Sequence, residues 1–226
     1  IQTLKDAKRP MIIVGAGALA REDGAQVLRA AGALADKIGA VSADWNGFNV
    51  LHTAASRVGA LDLGFLPGEG GKSTRDILAG AESGDIQTVV LLGADEVDTT
   101  RLEKAFVIYV GSHGDKGAHG ADLILPSAAY TEKPGLYVNT EGRAQLGDRA
   151  VFPKGEAKED WAIFRALSAR LNKTLPYNDL NALRAKLIED NPVFGEIDHA
   201  PGSASAGEFK VAEIGAEGRV SDAPFT

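Results

Sequence analysis

Four stretches of this chain combine residue types that could do chemistry. The first is Gly68-Glu69-Gly70-Gly71-Lys72-Ser73-Thr74, which looks like the phosphate-gripping end of a nucleotide-binding loop. Such a loop needs Gly, four free residues, then Gly-Lys-Ser or Gly-Lys-Thr, so that backbone curls around the phosphates while lysine and hydroxyl reach oxygen and Mg²⁺. Counting back from Gly71, the first position falls on Leu66, and residues 62–67 hold Asp62, Gly64 and Pro67 where a buried strand is required. The stretch therefore reads as a surface turn leading into a helix capped by Ser73 or Thr74. The second stretch, Gly15-Ala16-Gly17-Ala18-Leu19-Ala20, satisfies the dinucleotide fingerprint directly after an apolar run, and Asp44 stands at the end of the next expected strand. Glu22 and Asp23 place two carboxylates in the first turn of the following helix, where they favour its dipole and repel a pyrophosphate. A tight turn letting helix and sheet approach closely accounts for the same residues without a ligand.

The third stretch, residues 111–120, holds His113, Asp115 and His119, two imidazoles and a carboxylate that could face a metal. Lys116 lies inside that set and opposes a cation, so a hydrogen-bonded loop at a strand's carboxyl end is the better account. The fourth is the trio Glu132, Glu141 and Asp148, possible acid and base groups whose separation nothing in the sequence fixes. The nucleophile elbow of a serine hydrolase is absent.

The elements that position these stretches follow from periodicity. Residues 10–14, 88–92, 106–111 and 123–126 are short apolar runs rich in β-branched residues, as expected of strands buried on both faces. Residues 21–38 carry Val27, Leu28, Ala31, Leu34, Ala35 and Ile38 at helical spacing before Gly39, and residues 40–43 then read as a second strand completing a βαβ unit. Residues 46–73 are irregular with a short helix near 52–58, residues 74–81 look helical, and 136–139 extended. Helices at 159–171 and 178–189 follow, the second stopped by Asn191-Pro192. Strands alternating with helices imply an α/β fold, a mostly parallel sheet with helices on both faces and a loop-rich, helical C-terminal part. The expected division is a domain over residues 1–195 and an extended low-complexity tail over 196–226, whose run 201–207 of Pro, Gly, Ser and Ala has little to bury.

Composition narrows the function. A net charge of −7 with no basic cluster argues against nucleic acid as a partner. No apolar run approaches the roughly 20 residues that span a bilayer, so direct membrane insertion is not expected. The chain has no cysteine, which removes disulfides, thiol nucleophiles, thiolate zinc and cysteine-held iron–sulfur clusters from these 226 residues. It begins with Ile1 and is expected to be a piece of something longer.

Gly120-Ala121-Asp122-Leu123-Ile124-Leu125-Pro126, then Thr131-Glu132-Lys133, then Val138-Asn139-Thr140-Glu141-Gly142-Arg143-Ala144-Gln145 occur in an order that resembles the molybdopterin oxidoreductase superfamily. Within it they resemble the large iron–sulfur subunits of respiratory complex I (NADH-quinone oxidoreductase). Residues 9–25, 60–68, 89–96, 109–122 and 157–168 look like the same subunits, so the resemblance runs from about 9 to 192. It implies a molybdopterin-enzyme α/β architecture in a protein relaying electrons from NADH to quinone. It also implies [2Fe–2S] and [4Fe–4S] clusters on cysteines upstream of this stretch, and other peripheral-arm subunits as partners. The implied location is peripheral, on the cytoplasmic side of a bacterial inner membrane or the matrix side of the mitochondrial one. In those subunits the domain is regarded as having lost the pterin and kept a structural role. No catalytic, cofactor-binding or metal-binding residue is assigned here on that account. Glu132, Glu141, Arg143 and Gln145 are expected to fix loops, Arg143 by pairing a carboxylate bidentately. The alternatives are a piece of a working molybdopterin oxidoreductase, with residues 111–120 and 130–145 closing over the pterin, and a nucleotide-binding α/β domain.

Overall fold

A computed structural model describes residues 2–199 and 209–221. Its contacts divide the chain into two compact units. The first holds the described residues up to Asp62, residues Tyr137–Gln145 and the described residues from Glu196 onward; the second holds Leu63–Leu136 and Leu146–Gly195.

The first unit begins with α1 (Gln2–Lys5), β1 (Ile12–Gly15), α2 (Ala16–Leu19) and α3 (Gly24–Lys37). The chain continues through β2 (Val41–Ser42), β3 (Trp45–Asn46), β4 (Phe48–Leu51) and α4 (Arg57–Asp62). β1 pairs in parallel with β4, Ile12 opposite Phe48 and Gly15 opposite Leu51. This corrects the expected βαβ unit: residues 41–42 instead turn back antiparallel on β3, and Asp44 lies in that turn. The reason is steric and local. Gly47 accepts from the Ile12 N–H and donates to the Ala40 carbonyl, both at 2.7 Å, and a Cβ on Gly47 would collide with Pro10 O and lie 2.9 Å from Ala40 O. Only a glycine lets the chain pass this close, and Phe48 and Val50 are then delivered to the β1 edge in place of residues 40–43. α3 seats Ala35 and Ile38, with Ala40, against Ile12, Phe48 and Phe209. Its N-terminus lies three residues later than periodicity suggests, because Ala16–Leu19 forms a separate turn.

The second unit begins with α5 (Thr74–Ser83), β5 (Thr88–Leu92), β6 (Phe106–Gly111), α6 (Lys116–His119) and β7 (Leu123–Pro126). Next along the chain come the hairpin partners β8 (Gly135–Val138) and β9 (Ala144–Gly147), whose inner residues Tyr137–Gln145 belong to the first unit. The helices α7 (Asp160–Arg170) and α8 (Leu180–Asp190) complete the second. The three strands expected at 88–92, 106–111 and 123–126 form one parallel sheet in the order β5-β6-β7. Alternation along them drives Val89, Leu91, Val107 and Tyr109 into a core with Ala81 of α5, Leu102 and Ala105 of the crossover, and Ala118 of α6. Both crossovers return over the same face, as right-handed connections must when the strand order advances in one direction. The other face buries Val110 at 1% exposure but leaves Val90, Leu92, Phe106 and Leu123 between 41% and 51% exposed. Among the described residues the expected single sheet with helices on both faces is realised as two small parallel sheets and two short antiparallel pairs, and in this unit α5, the β5–β6 crossover and α6 pack on the Val107 and Tyr109 side.

Of the expected tail, the run 201–207 lies outside the described residues. Within residues 209–221, half-buried Ile214 packs on Gly32 of α3, and half-buried Phe209 meets the Phe48 ring edge-on with centroids 5.5 Å apart.

Candidate functional site

In open α/β sheets, ligands bind beyond the carboxyl ends of the strands. At that end of β5 and β6 the chain has placed Tyr109, only 2% exposed. Its hydroxyl donates to Asp95 Oδ2 at 3.1 Å, and Asp95 Oδ1 accepts the Gly117 N–H at 2.8 Å. The ring fits because two neighbours lack side chains. A Cβ on Gly111 would overlap the phenol, and one on Gly117 would sit 2.6 Å from Asp95 Oδ1 and 2.7 Å from the ring. Burial pushes the Tyr109 phenol above its ordinary pKa, helped by the Asp95 hydrogen bond and by the charges of Asp95, Asp115 and Glu96. On the same β5–β6 connection as Asp95, Asp98 accepts from the Thr100 hydroxyl and N–H, which lowers its pKa. The crevice mouth is therefore filled by a buried aromatic and edged by carboxylates.

Beyond β7, buried Ser127 donates to one oxygen of Asp160 and Lys133 donates to the other. The Ala128 N–H reaches the Lys158 carbonyl at 2.8 Å, and Glu132 accepts from the Ala129 N–H at 3.1 Å. Asp160 thus ties the loop after β7 to the start of α7, accepting from an ammonium and a hydroxyl without a base to activate the serine. Sequence reasoning assigns no role to Asp95, Tyr109, Ser127 or Asp160. Partners separated by 14 to 33 residues leave no spacing signal to find them by.

The candidates taken from sequence are placed as follows. The stretch 68–74 is exposed throughout, follows no strand, and supplies Ser73 as the cap of α5, its Oγ accepting from the Asp76 N–H. The fingerprint turn 15–20 leads into the one-turn α2 instead of a long helix. At α3 the N-terminal position belongs to Asp23, whose carboxylate takes two bonds from Arg21, at 2.7 and 3.2 Å, and the Ser221 N–H at 2.6 Å. These donors hold Asp23 down at about 2, so the chain's own carboxylate occupies the place a pyrophosphate would need. Among the described residues no group of three or more His, Asp or Glu is arranged to hold a metal ion; His113 instead meets Ser112 Oγ at 3.0 Å. Arg143 ties two connections together, but not by the expected bidentate pair: Nη1 donates to the Asp198 carbonyl at 3.1 Å, while Glu141 stands 3.7 Å away.

The first unit also holds an open cavity of about 210 Å³, lined by His52, Val58, Tyr137, Asn139, Thr140 and Gln145 among others. It is smaller than ordinary small-molecule sites, which run from roughly 300 to 1,000 Å³. Asn139 Oδ1 is already committed to the Glu141 and Arg143 N–H groups. No described helix is long and apolar enough to cross a membrane.

Residues 1–170 match the family model described as molybdopterin oxidoreductase. The G subunit of NADH-quinone oxidoreductase from Rickettsia bellii is 41% identical over 225 residues, covering 100% of this chain and 30% of that protein. The mitochondrial NADH-ubiquinone oxidoreductase 78 kDa subunit of Candida albicans is 47% identical over 193 residues, 84% of this chain and 25% of that protein. The chain spans between 25% and 31% of the length of such relatives. Among solved structures, acetylene hydratase from Pelobacter acetylenicus aligns over 51% of this chain and 18% of its own, with 20% identity and a TM-score of 0.44.

Proposed function

The chain belongs to the molybdopterin oxidoreductase family, and from that premise we propose that it is a structural and assembly domain in the peripheral arm of an NADH-quinone oxidoreductase, respiratory complex I. It is homologous to the G subunit of that enzyme over its whole length. In this reading, electrons pass from NADH to quinone through iron–sulfur clusters held by cysteines elsewhere in a longer polypeptide. The chain has no cysteine with which to hold one. Its partners are other subunits of the arm, and its location is peripheral to the membrane that carries them.

The observation that carries this reading is the Tyr109, Asp95 and Gly117 arrangement. The cofactor named by the family is a pterin bearing phosphate, and it needs donors and cationic groups at the carboxyl end of the sheet. The residues present do not fit it. The Gly117 N–H is spent on Asp95, the space is occupied by the Tyr109 ring, and the cation Lys116 is outnumbered there by Asp95, Glu96 and Asp115. What these groups do is lock two crossover loops to the sheet.

The test is made in the assembled enzyme. Tyr109→Ala is expected to lower the yield of complete complex on native gels several-fold while turnover per assembled complex stays within twofold of wild type, with molybdenum and tungsten far below one per protein. Normal assembly with turnover lost, or metal at full stoichiometry, overturns the proposal.

A further inference from the structure

Residues 209–221 are held on α3 and on Phe48 of β4 by both side-chain and main-chain contacts. Phe209 lies against Phe48, and Arg29 Nη1 donates to the Val211 carbonyl at 2.5 Å. Ile214 packs over Gly32, where a methyl would stand 3.5 Å from it in ordinary contact and a larger side chain would displace it. Gly215 adopts φ +66 against the Ala25 carbonyl with no room for a Cβ, which lets the Ala216 N–H donate to Ala25 O at 3.0 Å. The Ser221 N–H then closes on Asp23 at 2.6 Å. On its other side the chain is anchored at Asp198, whose N–H and carbonyl bond Ala144 O and Arg143. Between these anchors, residues 200–208 have no side chain larger than Pro except Glu208 at the end.

We propose that the face of α3 with Phe48 is a docking groove for an extended peptide of pattern Phe-x₄-Ile-Gly, filled in this chain by its own segment 209–221. The features recognised are an aromatic, a β-branched side chain over a glycine, and a backbone turned through a left-handed glycine. Recognition is thus divided between side chains and main chain, as when an extended segment adds to a preformed surface. Because the segment belongs to the same polypeptide, its effective concentration is on the order of millimolar, so a free peptide at micromolar concentration is excluded while the segment is in place. The docking groove is independent of the assembly role proposed above.

The experiment uses the full chain and a fluorescent synthetic peptide of residues 209–221. Ile214→Asp in the chain weakens only the chain's own copy. This variant is expected to bind the added peptide at least tenfold more tightly than wild type does, and a second substitution, Gly32→Val, is expected to abolish that binding. Hydrogen exchange reports the same event: in Ile214→Asp the Ala216 amide exchanges at least tenfold faster, with the β1 amides unchanged. A folded Ile214→Asp variant that does not take up the peptide overturns the proposal. So does a wild-type chain that binds it equally well, or loss of β1 protection together with the segment, which would make 209–221 an integral part of the fold. Gly215→Val, strained by its positive φ, supplies an independent release of the segment should Ile214→Asp fail to express.

Discussion

At the scale of single residues, the decisive feature is how little space and how few donors are left at the carboxyl end of β5 and β6. Tyr109→Phe removes one hydrogen bond to Asp95 and is expected to cost about 1 kcal/mol in chemical denaturation. Gly117→Ala must displace either Asp95 or the ring, and is expected to cost more, about 2 kcal/mol, as overpacking does. If the alanine variant proves the milder, the tight fit of that crevice is wrong. Asp23 makes a pH-dependent prediction. Arg21 and the Ser221 N–H hold its folded pKa at about 2, below the ordinary 3.8, so its contribution is present above the unfolded value and is lost as pH falls through the folded one. The stability gap between wild type and Asp23→Asn should therefore be constant near neutrality and shrink between about pH 4 and pH 2 in urea titrations. Arg143 is legible in the sequence as a loop tie but not in its partner. Arg143→Ala should cost about 1 kcal/mol through the Asp198 carbonyl. Glu141→Gln should change the melting temperature little, since its pair is exposed and 3.7 Å long.

At the scale of elements, the strands are the most legible in the sequence. β5, β6 and β7 are four to six residues each and coincide with the expected apolar runs, but not with burial on both faces, since β5 alternates and Leu123 and Ile124 of β7 are 41% and 49% exposed. Ser73 caps α5 as its place before the helix suggests, and Ser73→Ala is expected to lower stability by about 1 kcal/mol. The β2, β3 and β4 region is not legible in this way, since two-residue strands carry no periodicity and the position of Gly47 acts through a close approach that only the folded chain reveals. The uneven burial of the sheet's two faces gives a paired prediction from the same chemical change. Leu102→Ala, in the core and 1% exposed, should cost about 2–5 kcal/mol. Leu92→Ala, 51% exposed on the opposite face, should cost under about 1 kcal/mol. Equal losses would mean that the second face is packed in solution.

At the scale of the whole molecule, sequence alone determined the class and the family. Apolar runs ending on glycine, helical spacing between them, and the ordered stretches 120–126, 131–133 and 138–145 suffice for an α/β chain of the molybdopterin oxidoreductase family, as the match over residues 1–170 bears out. The lack of cysteine likewise settles from sequence that no thiolate cluster is held within these residues. Tertiary structure alone decided what the motifs are for. Lys133 and Asp160, 27 residues apart, become one ion pair, and Asp95 meets Gly117 across 22 residues. The segment 209–221 reaches α3 across nearly the whole chain, with Ser221 bonded to Asp23 at a separation of 198. Periodicity and capping are local energies, summed over a few neighbours, and so are written in short stretches of sequence. Which donor meets which acceptor depends on chain paths closed over tens of residues, where small clearances such as those around Gly47, Gly117 and Gly215 select one partner among many.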